Sequence, residues 1–191
     1  MKIQVRINEE GALRNQRFAF TDRFTLVTEL LQNARRAGAH HIVVDHQADD
    51  ELLRVCDDGH GIEDFQKLLS FHESGWGDDT VNLEHPFGIG FTKCLYAASR
   101  VVITSGRQRV DIDTAAALRR KPFEVELATE AVNGTTIELH GVDIAGLAQR
   151  METLCQGFPV DVVFNGQRLA RRYAEGHLPL VPTPIGAVHV A

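Results

Sequence analysis

Apolar residues recur along this chain with two different periods. From about Arg23 to Ala37 they fall at Val27, Leu30, Leu31 and Ala34, a spacing of three and four that predicts a helix with one buried stripe. Thr21 or Asp22 suits its N-cap, and Gly38 suits its end. Elsewhere the pattern is that of strands: residues 2–7, His41–His46, Leu52–Cys56, Val101–Ser105, Arg109–Asp113, Phe123–Ala128, Thr135–His140 and Val160–Phe164. A polar turn is expected over Asn8–Gly11. The acidic turn Ala48-Asp49-Asp50 should close a hairpin, and Asn133-Gly134 should turn tightly into the Thr135 strand. Further helices are expected at Glu63–Phe71, from the Gly88/Gly90 pair to about Ala98, and at Ala145–Gln156. The stretch 73–86 is polar, glycine-containing and without period, as a mobile loop should be. The proline-rich end from Pro179 reads as extended.

Composition narrows the class. A chain of 191 residues can bury one sizeable core and a small appendage. Its net charge of −6 argues against a general nucleic-acid binder. Three widely spaced cysteines with no CxxC pair suit buried reduced thiols, and no apolar run approaches the roughly 20 residues of a membrane span. A soluble cytoplasmic protein is the expectation. His40 and His41 look like a metal pair, but neighbours on a strand point to opposite faces, so surface histidines are the simpler reading.

The loop Asp57-Asp58-Gly59-His60-Gly61-Ile62 carries the most pointed chemistry. Two alternate glycines let the backbone turn sharply and admit a flat ligand, and Asp57 at the strand end can accept a hydrogen bond from an amino group on it. An acidic turn would use the same residues. Glu29 and Asn33 lie one helical turn apart at the edge of the buried stripe, facing either a pocket or water. Gly88 and Gly90 would bare N–H groups at a helix start, where an anion is favoured. Lys93 could reach a phosphate, although a solvated lysine is the plainer expectation.

In order, the chain offers Glu29-x-x-x-Asn33, Asp57-x-Gly59-x-Gly61, Phe87-Gly88-Ile89-Gly90-Phe91 and Gly134-Thr135-Thr136-Ile137. That set resembles the four motif boxes of the GHKL superfamily: gyrase, the ninety-kilodalton heat-shock chaperone, histidine kinases and MutL. Its wording is most similar to the chaperone and MutL branches. The resemblance implies a Bergerat-type α/β two-layer sandwich, a mixed, mostly antiparallel sheet with helices on one face. It places the ATP-binding domain at 1–140 and a C-terminal extension at 141–191. It implies ATP and Mg²⁺ as ligands, Asn33 as the metal ligand and Glu29 as general base. Nucleotide would be held by Asn33, Asp57, Gly59, Gly61, Ile62, Ser74, Gly75, Gly88, Ile89, Gly90, Phe91, Thr92 and Thr135. Gly61 would let adenine approach the backbone, and the 73–86 loop would be a lid. No residue matches the γ-phosphate lysine that larger members carry in a second domain, which implies slow hydrolysis. Glutamate at position 29 favours hydrolysis over histidine-kinase-type phosphotransfer. The function implied is an ATPase module that moves a protein partner or a further domain, with a homodimer left open. A non-hydrolysing ATP/ADP sensor and a protein-interaction module are the alternatives.

Overall fold

The computed structural model describes residues 4, 8–16, 18, 22–70, 90–174, 180–183 and 186–189. Its largest helix is α2 (Phe24–Arg36), following α1 (Glu9–Gln16). The α2 stripe widens to Leu26, Val27, Leu30, Leu31 and Ala34, all buried. Arg23, not Thr21 or Asp22, takes the N-cap position and makes no side-chain cap; Asp22, one residue before it, accepts from the Phe24 N–H through Oδ1 at 3.0 Å. Gly38, at φ +74°, ends it in the left-handed region.

Strands β1 (His41–Gln47), β2 (Leu52–Asp57), β3 (Arg100–Ser105), β4 (Gln108–Asp113), β5 (Val125–Leu127), β6 (Thr135–His140), β7 (Asp161–Phe164) and β8 (Gln167–Arg168) form one sheet in the order β5-β4-β3-β6-β2-β1-β7-β8. Only β1 and β7 pair in parallel; every other neighbouring pair is antiparallel. The register aligns Phe164, Val44, Val55, Ile137, Ile103, Val110 and Val125 in one row across the sheet. All but Val125, on the edge, are buried, and they join the core that α2 covers together with α3 (Lys93–Ala97) and α5 (Leu147–Cys155). The core therefore continues past His140: Leu147, Met151, Val162 and Phe164 belong to it, and β7 extends the sheet beside β1.

The opposite face carries charge, as alternation requires. Arg54 pairs with Glu138, and Asp111 accepts from both Arg100 and Arg109. Cys56 also emerges on this side, where Thr136 Oγ1 donates to its sulfur at 3.5 Å. No helix of the described residues is long and apolar enough to cross a membrane.

Several elements differ from expectation. Asn8–Gly11 does not make a free turn: Asn8 Oδ1 accepts from Gly11 N–H at 2.9 Å and starts α1. The helix expected at 63–71 is a short 3₁₀ turn, Phe65–Leu69, capped by Asp64. The helix expected from Gly88 shrinks to α3, which starts only at Lys93. Phe123–Ala128 shortens to β5, and α4 (Thr114–Leu118), capped by Asp113, was not foreseen. The extended tail is a separate hairpin of β9 (Leu180–Thr183) and β10 (Gly186–His189). Of the strand expected at 2–7 only residue 4 is described, and it lies in no element; the loop at 73–86 falls outside the described residues.

Candidate functional site

At one end of the sheet the register places Asp57, Thr135 and Ser105 side by side on β2, β6 and β3. Asp57 Oδ1 accepts from the Gly59 N–H at 3.0 Å, an Asx turn that reverses the chain. Its other oxygen has no protein donor among the described residues. Burial pushes the Asp57 carboxyl up, against the opposing pull of that N–H. Gly59 packs on the end of α2, where an added Cβ would sit 2.7 Å from Ala37 Cβ, and His60 N–H donates to Ala37 O at 2.9 Å. Asp58 faces away and accepts from His40 and His41 N–H at 2.7 and 2.9 Å. Turn formation is thus its role.

Gly61 (φ +83°) has a nearer neighbour than a ligand. A Cβ there would come within 2.7 Å of Ser105 Oγ. That hydroxyl accepts from Ile62 N–H at 2.8 Å, donates to Gly134 O at 3.1 Å and stands 3.4 Å from Thr135 Oγ1. Ser105 thus ties the Asp57 loop to the turn before β6. Gly134 (φ +74°) presses on the Asp57 carbonyl so closely that no side chain fits.

A second group gathers beside α2. Lys93 Nζ lies 3.0 Å from Glu29 Oε1, and Glu29 Oε2 abuts Gly90, where a Cβ would collide with it. The Lys93 side chain is only 15% exposed, so the solvated lysine expected from sequence is instead a shielded partner of Glu29. Thr92 is buried, and Phe91 packs against the core. Asn33 is half-buried on the same helix, its Oδ1 accepting from Arg36 Nη1 at 3.3 Å. Eight residues of helix axis, about 12 Å, separate Glu29 from Ala37, where the Asp57 loop docks. Among the described residues no three His, Cys, Asp or Glu side chains group to hold a metal.

A family model described as histidine kinase-, DNA gyrase B-, and HSP90-like ATPase matches residues 21–145, well over half of the chain and all of this geometry. The chain belongs to that family. The GHKL fold is seen again in the ATPase region of Saccharomyces cerevisiae topoisomerase II, at TM-score 0.56 and 15% identity over 75% of this chain and 48% of that one. A structure of the same region bound to ICRF-187 (dexrazoxane) gives 0.57 and 14% over 78% and 50%. The chain thus spans about half the length of these solved chains. No curated protein matches it.

Within the GHKL frame, the structure brings Asp57, Gly59, Gly61, Ile62 and Thr135 together at the sheet end, and Glu29 with Gly90 beside α2. Ser74, Gly75, Gly88 and Ile89 lie outside the described residues. Sequence reasoning missed Ser105, which has no local signal at a strand end, and the Glu29–Lys93 pair, which spans 64 positions. A separate cavity of about 830 Å³ lies between α1, the 3₁₀ turn and β4, lined by Leu13, Phe65, Leu95, Ile112 and Phe123; none of the residues above line it.

Proposed function

We propose that this GHKL domain binds Mg²⁺-ATP and hydrolyses it slowly, in the manner of the chaperone-like or MutL-like modules, to drive a conformational change in a protein partner or a further domain. One observation carries the reading: the half-buried Asp57 carboxylate, with one oxygen committed to Gly59 and the other left without a protein donor among the described residues. An exocyclic amino group fits that acceptor. A base lacking the amine would leave a buried carboxylate unpaired, at a cost of about 1–3 kcal/mol or more.

Around Asp57, Thr135 Oγ1 would complete recognition of the base, with its neighbour Ser105 fixing the wall. Gly88 and Gly90 would face the phosphates. Glu29 would take the proton of the attacking water, help worth typically about 10²–10⁴-fold. Asn33 would supply Mg²⁺ with one neutral oxygen, giving up its long bond to Arg36. Mg²⁺, when bound, neutralises phosphate charge. The lid role of 73–86 falls outside the described residues, and the reading does not depend on it. Three free thiols, two of them buried, support a cytoplasmic home. A non-hydrolysing sensor is the second reading, favoured by the ion pair with Lys93 that occupies Glu29 Oε1.

Thermal unfolding with and without saturating Mg²⁺-ATP is the test. Ligand at a hundredfold its Kd should add about 2.7 kcal/mol, a rise of roughly 5–10 °C for a domain of this size. Asp57→Asn should abolish the rise. No shift at millimolar nucleotide would overturn the proposal, and a shift without phosphate release would favour the sensor.

A further inference from the structure

We propose that Lys93 is a positioning residue for hydrolysis, aiming the Glu29 carboxylate from α3. The inference rests on Glu29 acting as the base. A glutamate on a helix has three rotatable side-chain torsions, and no hydrogen bond within α2 selects among them. Lys93 does. Its ammonium holds Oε1 at 3.0 Å, while Oε2 occupies the space that a side chain at position 90 would take.

Both helices that present the pair are anchored in the core. Glu29 is followed by Leu30 and Leu31, at 2% and 0% exposure, and Lys93 is flanked by Thr92, Cys94 and Leu95, at 1%, 0% and 3%. The backbone positions are therefore set by packing, and the side chains meet without loop movement. With the lysine side chain 15% and the glutamate 31% exposed, the pair is screened less than a surface ion pair. A base oriented by a third group is what efficient proton transfer requires. Gly90 completes the arrangement, because any side chain there would push the carboxylate off its aim.

Four proteins test this: Lys93→Met, Lys93→Arg, Glu29→Gln and the Lys93→Met/Glu29→Gln double variant, each measured for kcat, KM, ATP-induced thermal shift and nucleotide-free Tm. Lys93→Met should lose about 10–100-fold in kcat, part of the general-base contribution. Its KM should stay within about twofold and its ATP-induced shift should be intact, because binding energy is untouched. Lys93→Arg should recover much of the rate. The double variant should turn over no more slowly than Glu29→Gln alone. Without nucleotide, its Tm loss should be smaller than the two single losses added.

A Lys93→Met variant as fast as the wild type, or faster, would overturn the proposal and make the ammonium a bystander or a restraint. A raised KM with a lost thermal shift would overturn it in favour of a direct phosphate contact. Additive Tm losses would show that the pair does not form. Full turnover in Glu29→Gln, or none in the wild type, would sink the base reading and this role with it. A dead Glu29→Gln beside a full-speed Lys93→Met would sink the positioning role alone.

Discussion

Asp57 and Asp58 adjoin in the chain, yet the fold pulls their carboxyl groups in opposite directions. Burial raises Asp57, whereas the His41 N–H, with that of His40, lowers Asp58. For Asp57 the folded state holds its proton more tightly than the unfolded chain, so its stabilising influence is fullest below the ordinary carboxylate range and falls as pH rises through the raised value. Asp57→Asn should therefore leave the nucleotide-free Tm at pH 7 equal to or above that of the wild type, even as it removes the response to ATP; scanning calorimetry from pH 7 down to pH 3 should show the gap closing. Asp58 has the opposite sign. Its contribution is present above the unfolded carboxylate pKa and is lost as pH falls through the lowered folded value. Losing its two backbone hydrogen bonds in Asp58→Ala should cost about 1–2 kcal/mol at pH 7. That is a fall in Tm of roughly 2–8 °C, shrinking toward acid pH.

Turns and element ends decide how the strands present the site. Gly38 and Gly134 share φ +74°, but nothing stands within 4 Å of a Cβ at Gly38, while one at Gly134 would enter the Asp57 carbonyl. Gly38→Ala should thus cost only the left-handed backbone penalty, about 1–2 kcal/mol. Gly134→Ala should cost on the order of 3 kcal/mol or more and take the ATP-induced shift with it, as urea unfolding with and without nucleotide would read. Equal costs at the two sites would show that the turn has room to relax. Much at this scale was legible in the sequence. The α2 stripe, Gly38, the β1–β2 hairpin and the Asp57 loop follow from period and turn chemistry, which are local. Asn8-Glu-Glu-Gly misled because asparagine and glycine mark free turns and helix starts alike. Asp113-Thr-Ala-Ala-Ala held a cap signal, but a five-residue helix is too short to show a period. Ser105 was illegible because its neighbours, Ile62 and Gly134, arrive only through strand pairing.

For the whole molecule, the parallel β1–β7 pair closes the chain onto itself, setting Val162 beside Ile42 and Phe164 beside Val44. A chain cut after His140 would lose Leu147, Met151, Cys155, Val162 and Phe164 from the core and leave β1 as an open edge. It should show no cooperative melt by circular dichroism at temperatures where the full chain remains folded; a sharp transition in the cut chain would show that β1 needs no such neighbour. The eight-stranded sheet also separates two chemistries by its own thickness, apolar packing on one side and ion pairs on the other. Cys56 sits on the ion-pair side, one residue before Asp57, while Cys94 and Cys155 are sealed at 0% exposure. A thiol-reactive fluorophore, applied at alkaline pH because burial raises the Cys56 thiol, would attach at that one place. The unmutated chain therefore supplies its own optical probe, one residue from Asp57 on the opposite face of the sheet, placed to report a ligand arriving at the proposed pocket.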